Sequence, residues 1–307
     1  MPRQESAGDS RRTAADLSLI AVAAVWGLTF PLVRDAIVGV PVLTFLVLRF
    51  ALALLILAPL AIRRGGMRFI ADPAGLAPGL CMAAGYWFQT EGLRGVSPSV
   101  SAFITGTYTV IVPVLAGILG WERSGPRRWV SVALALAGVY LLQGKLPDRW
   151  TLAETWTALC AVSFGLQIVL TGRVAPRHRD PLALGATQIA VAAVLFAAVA
   201  AARGELQLPT PLRGTTWFAA LFTGWLATAV AFLVQAWAQG HVPSGHVAVC
   251  FANEPLFAAA ISIAFFGDRL ALSGWIGGAA VILATLLTTL EPGSGADRRP
   301  HATSAPG

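Results

Sequence analysis

The sequence predicts an all-α integral membrane protein, with ten transmembrane helices arranged as two inverted five-helix repeats. Three observations carry this. The 307 residues are 56% hydrophobic and only 12% charged, whereas a soluble domain has roughly 25% charged residues to face water. The apolar residues come in long runs parted by short basic or Gly/Pro stretches, and a helix crossing a ~30 Å hydrocarbon layer needs about 20 such residues. Landmarks of the first half recur in the second at a fixed offset. A β-barrel would need short alternating segments, which are absent.

The ten expected helices are Leu17–Val33, Val42–Ile62, Ala74–Leu93, Ser99–Leu119, Trp129–Gln143, Thr155–Gly172, Leu182–Ala202, Trp217–Gln239, Gly245–Phe266 and Trp275–Leu290. The fifth and tenth are short enough to cross with little tilt. Residues 1–16 and 291–307 are polar and Pro/Gly/Ser-containing, and read as disordered cytoplasmic tails. The first apolar run is followed by many similar ones and reads as a helix, not a cleaved leader. With the N-terminus inside, 14 of the 22 basic residues fall on inner connections and 7 on outer ones, leaving Arg49 within the bilayer. The positive-inside rule therefore puts both termini in the cytoplasm of a multipass cell-membrane protein.

The repeat appears when the chain is shifted by 146 residues. Gln89 then meets Gln235, Val96 meets Val242, Glu122-Arg123 meets Asp268-Arg269, and Trp129 meets Trp275. Nearer the start the offset falls to 138, pairing Gly27 with Gly165. This divides the chain into halves 17–148 and 149–290. Five helices per half is an odd number, so the second half enters the membrane upside down, as in many secondary transporters.

The net charge of +7 does not point to nucleic acid, because the arginines sit in short clusters at the ends of apolar runs. Cys81, Cys160 and Cys250 lie far apart inside apolar runs and read as small buried hydrophobes. No GxxxxGK[ST] loop and no HExxH helix is present, so no ATPase, metalloprotease or cofactor is expected. His241 and His246 have no carboxylate partner nearby in sequence and do not read as a metal site.

An ordered series of segments resembles the EamA-type branch of the drug/metabolite transporter superfamily. In the first half these are AVWGLTFPLV, FLVLRFALA, FQTEGLRGVSPSVSAFITGTYTVIVPVLAGILGWER and WVSVALALAGVYLL. In the second they are NEPLFAAAISIAFFGDRL and GWIGGAAVILATLL. The resemblance covers residues 17–290. It implies two inverted five-helix repeats, a central cavity lined by the first four helices of each half, and peripheral fifth helices. Members typically export amino acids, other metabolites, pigments or drugs.

Ionisable groups inside a bilayer are costly and are functional candidates by default. Glu254 lies about 14 Å into the ninth helix at 1.5 Å per residue, beside Pro255. A carboxylate at a helix break near the midplane suits proton coupling or an amine substrate. A structural Glu bonded across the bundle fits as well. Tyr108 opposes it across the repeat axis. Arg49 and Glu91 both fall in the outer half and form a candidate gating ion pair. The alternative pairs Glu91 with Arg94, three residues on, with Arg49 reaching outward. Trp26 is a candidate pocket wall. Gln89, Gln235 and Asn253 are polar groups placed to meet substrate or to tie helices together. Gly274–Gly278 forms a GxxxG that suits packing within the bundle or a homodimer contact.

These features predict a proton-coupled or facilitative exporter of small organic metabolites, with a midplane site and alternating access. Its expected partners are a small molecule, protons and the lipid bilayer. The other readings are a noncatalytic membrane subunit and a lipid-handling multipass protein or enzyme. The loops are too short to hold a catalytic cluster.

Overall fold

The computed structural model describes residues 2–65, 72–143, 149–206, 213–266, 269 and 271–290. Within them the chain is helical, with no strand. The helices are α1 (Pro2–Ala36), α2 (Val42–Gly65), α3 (Pro73–Gly92), α4 (Pro98–Gly106), α5 (Tyr108–Ile118), α6 (Pro126–Gln143) and α7 (Leu152–Val174). Then come α8 (Pro181–Ala202), α9 (Gly214–Gly224), α10 (Ala231–Ala238), α11 (Ser244–Phe251), α12 (Glu254–Phe266) and α13 (Leu272–Thr289). A π-helical turn, Trp225–Val230, joins α9 to α10. Seven rods are long and apolar enough to cross a membrane: α1 from Ser10, α2, α4–α5, α7, α8, α9–α10 and α13. The chain is a multipass membrane protein.

Helix starts follow simple cap chemistry. Asp72, Ser97 and Asp180 each precede a proline at the first helical position and accept a backbone N–H with the side chain. Thr151 and Glu154 form a reciprocal capping box at α7. Gly39, Gly120 and Gly204 follow or end helices with positive φ, where an L side chain would be strained.

Three expectations need correction. Residues 2–16 are not a disordered tail but the first turns of α1, in which Ala15 and Asp16 are buried. Alanine, arginine and glutamate are strong helix formers, and the stretch continues the helix that follows it. The fourth and ninth expected helices are each kinked into two. At Thr107 the side-chain hydroxyl bonds back to the Ile104 carbonyl at 2.6 Å, a contact that bends helices. At Ala252–Asn253 the cause is Pro255, which has no N–H and whose ring crowds the carbonyl four residues back. The second tail, 291–307, lies outside the described residues, as do Arg68, Lys145 and Asp268.

The bundle is held by close backbone approach. α6 packs along α13, α3 against α7 and α8, and α2 against α8, while α1 crosses α10, α11 and α12. In lipid no hydrophobic force drives helices together, so small residues at crossings and tight packing replace it. A Cβ on Gly277 would sit 2.5 Å from the Gly138 carbonyl oxygen, and one on Gly138 would sit 2.7 Å from that of Gly277. Gly274 is buried, and a Cβ on Gly278 would meet Leu256, so this glycine stripe is spent inside the chain. Gly277→Val should therefore force α6 and α13 apart at an overpacking cost of about 1–3 kcal/mol. The expected readout is a lower thermal midpoint for the monodisperse protein in detergent. An unchanged midpoint would mean that this contact does not hold the two helices.

Candidate functional site

A cavity of about 30 Å³ lies in the middle of the bundle, room for roughly two waters. Trp26 of α1, Arg49 of α2, Tyr86 and Gln89 of α3, Tyr108 of α5 and Glu254 of α12 line it, and α7 closes it with Phe164 and Gln167. Among the described residues, no side chain of α6 or α13 lines it.

Glu254 and Tyr108 meet across this cavity. The Tyr108 hydroxyl donates to Glu254 Oε2 at 3.3 Å, between residues 146 apart in sequence. Each is the first residue of the helix that follows a kink, Tyr108 of α5 and Glu254 of α12. A helix N-terminus carries positive partial charge, so the Glu254 carboxylate sits where a negative group is favoured. α1 lies directly against the second kink, because a Cβ on Gly27 would be 2.7 Å from the Glu254 carbonyl oxygen. The matching glycine of the second half, Gly165, is packed against Ile111 and Tyr108.

The π turn lies behind two of the lining side chains and holds them by hydrogen bonds. Its widened helix leaves polar groups free for neighbours, and such turns occur often at functional sites. Ala227 O accepts from Trp26 Nε1 at 2.8 Å, and Thr228 Oγ1 accepts from Arg49 Nε at 2.8 Å. The Arg49 guanidinium lies 4.2 Å over the Tyr86 ring centre, and the residue is only 2% exposed.

The expected Arg49–Glu91 ion pair is not formed. Glu91 pairs with Arg94 Nη1 at 3.3 Å at the exposed end of α3. Arg49 instead packs on Tyr86, five residues earlier on the same helix, about 7.5 Å deeper along its axis. Nor does Arg49 reach outward, since its guanidinium is enclosed.

Two other candidates lie away from the cavity. Gln235 belongs to a buried amide network. Its Nε2 donates to Gln167 Oε1 and to Gln239 Oε1, each at 3.0 Å, and Gln167 Nε2 donates to Gln188 Oε1 at 2.8 Å. The network ties α7, α8 and α10 together, and only Gln167 also touches the cavity. Asn253 faces α13, where Nδ2 donates to Thr285 Oγ1 at 2.7 Å and to the Cys250 carbonyl at 2.9 Å. The kink before Glu254 turns Asn253 to the other side of the rod. Trp26, Arg49, Gln89, Tyr108 and Glu254 are the candidates that the structure brings together.

Sequence reasoning missed the contacts that join α1 and α11. His246 Nε2 lies 2.6 Å from Asp16 Oδ1, with His246 fully buried. The two are 230 residues apart, so no local pattern announces them. Cys250, one turn beyond His246, completes the one group of donors among the described residues that could hold a metal ion. Ligands at about 2.0–2.1 Å from a tetrahedral zinc stand well over 3 Å apart, so the Asp16–His246 spacing is that of a hydrogen bond. Glu122 caps the start of α11, accepting from Ser244 N at 2.8 Å and Gly245 N at 3.3 Å. Asp72 accepts from Ala74 N and also lies 2.6 Å from His178 Nε2, which joins the starts of α3 and α8.

The EamA-like transporter family model matches residues 13–143 and again residues 151–290. The chain belongs to that family. EamA transporters form a branch of the drug/metabolite transporter superfamily. An uncharacterized transporter of Archaeoglobus fulgidus is 29% identical over 292 residues, 94% of this chain and 90% of that protein. The uncharacterized transporter YwfM of Bacillus subtilis is 28% identical over 185 residues, 59% of this chain and 62% of that protein. A crystal structure superposes with a TM-score of 0.75, covering 93% of this chain and 99% of that one at 18% identity. At that identity the likeness speaks for the fold.

Asp16→Asn and His246→Ala should each lower stability, and the double variant should lose less than the sum. Contacting polar residues typically couple by about 0.5–3 kcal/mol in such a cycle. Thermal midpoints of the four proteins in detergent measure it, and strict additivity would mean that α1 is not held to α11 by this bond.

Proposed function

We propose that the chain is a secondary transporter that exports small organic metabolites from the cytoplasm by alternating access. In this reading it crosses the cell membrane ten times, with both termini inside, as two inverted five-helix halves. The central cavity is the substrate site. Transport is coupled to protons through Glu254.

The observation that carries the reading is self-contact at the repeat offset. Tyr108 bonds Glu254, 146 residues on. The Tyr86 ring packs on Phe232 at 5.9 Å, a pair with the same offset in the register that runs through Gln89 and Gln235. A residue can touch its own repeat mate only near the axis that relates the halves. Two such pairs, with Tyr86, Tyr108 and Glu254 lining the cavity, therefore support a pseudo-two-fold axis running beside the site. The two tandem family matches divide the chain at the same place. Alternating access then amounts to one half rocking against the other around that axis.

Glu254 is the carboxylate on the axis that can exchange a proton, and the Tyr108 hydroxyl bonds whichever oxygen faces it. Proteoliposome counterflow with a pooled panel of amino acids, amines and dyes tests the reading. Wild type should exchange one class. Glu254→Gln should still exchange but lose accumulation driven by a pH gradient. Tyr108→Phe, which removes one hydrogen bond to a charged group worth roughly 1.5–3 kcal/mol, should weaken the coupling without abolishing exchange. Wild-type behaviour in Glu254→Gln would reduce that residue to a structural role.

A further inference from the structure

Arg49 carries a charge that no described carboxylate pairs with. Its guanidinium lies within α2, 2% exposed, and carries five N–H donors in a planar fork. One of these, Nε–H, goes to Thr228, and one face is covered by Tyr86. No described carboxylate is within ion-pair distance of it. Glu91 is held by Arg94, Asp16 lies against His246, Glu122 caps α11, and Glu254 accepts from Tyr108. A buried cation without a partner is a costly arrangement that proteins avoid unless something else supplies the anion.

The position of the free edge says where that anion comes from. Thr228 and Tyr86 fix the plane of the guanidinium from two sides, and Arg49 lines the central cavity. The end of the fork that holds both Nη groups is therefore the part left for a ligand. We infer that the substrate carries a single carboxylate, held bidentately by the two Nη groups of Arg49. This rests on the reading of the cavity as the transport site. A guanidinium matches a carboxylate in shape as well as charge. Among the described residues Arg49 is the sole basic one lining the cavity, so a phosphate ester, with nearly two charges, would be left half compensated. The remaining walls suit the body of such a compound. Trp26 and Phe164 are aromatic, and Glu254 stands ready for an ammonium if the substrate has one.

The test compares acids with their own amides, which keep the body of the molecule and remove the charge. Purified wild type, Arg49→Lys and Arg49→Gln are titrated with the protein amino acids and a set of simple aliphatic and aromatic monocarboxylates, each beside its amide. Thermal midpoint and tryptophan fluorescence read binding. At least one acid should bind wild type, with its amide about tenfold to a hundredfold weaker, as expected for loss of charge-assisted hydrogen bonds. Arg49→Gln should lose that preference, and Arg49→Lys should restore part of it. The acid–amide comparison on wild type stands even if Arg49→Gln fails to fold.

Equal binding of acid and amide, an unchanged preference in a folded Arg49→Gln, or binding by no acid in the set would each overturn the inference. Arginine-dependent binding of an acid that proteoliposomes do not exchange would keep the carboxylate site and sink the transport reading. Exchange of amines or neutral compounds without an acid preference would do the reverse.

Discussion

Hydrocarbon offers no hydrogen bonds, and every polar group that this chain carries into the bilayer has to be answered by another part of the protein. The answers shape the bundle. Glutamines from α7, α8 and α10 bond one another in a buried network, and threonine hydroxyls turn back onto their own helices. Asp16 meets His246, and the Trp26 indole finds the one helix whose widened turn exposes a carbonyl. Each bond is weak by itself, of the order of 1 kcal/mol. Together they decide which faces point inward, because apolar side chains in lipid do not. The cavity is the place where this accounting remains open, with a carboxylate and a guanidinium on the same small surface and no bond between them.

The helices were legible because their signal is compositional: a run of some twenty apolar residues has few other uses. Helix caps carry a local signal as well, though only the structure brought it out. Asp-Pro and Ser-Pro pairs mark the starts of α3, α4 and α8. The pairing of Tyr108 with Glu254 was also within reach, since an inverted repeat brings mates together at its axis and the offset could be counted. What could not be read was the rotation of each helix. Gln235 and Asn253 are as polar as Gln89, yet they bond neighbouring helices while Gln89 lines the cavity. The Arg49–Glu91 pairing failed for that reason. Depth along the chain located both residues, but the 7.5 Å or so between Tyr86 and Glu91 and the pull of nearby Arg94 gave each a different partner. Long-range contacts such as Asp16–His246 leave no mark in a single sequence.

The two kinks show how similar geometry arises from different chemistry. In α4–α5 a threonine hydroxyl competes for a backbone carbonyl. In α11–α12 a proline withdraws a donor. Both set a polar side chain at the start of a new helix beside the cavity, one a phenol and one a carboxylate. Two unlike groups thus come to stand at matching points of the two kinked rods and bond each other there.

The π turn, Trp225–Val230, has no counterpart among the described helices of the first half. It amounts to one surplus residue wound into a single rod, and it grips Trp26 and Arg49, which belong to the opposite half. A pair of halves that trade places during a cycle would be equal in energy at the two ends only if they were truly alike. Here one half carries a ratchet tooth and the other does not. In the alternating-access cycle proposed above, that single turn of backbone would favour one face of the membrane over the other.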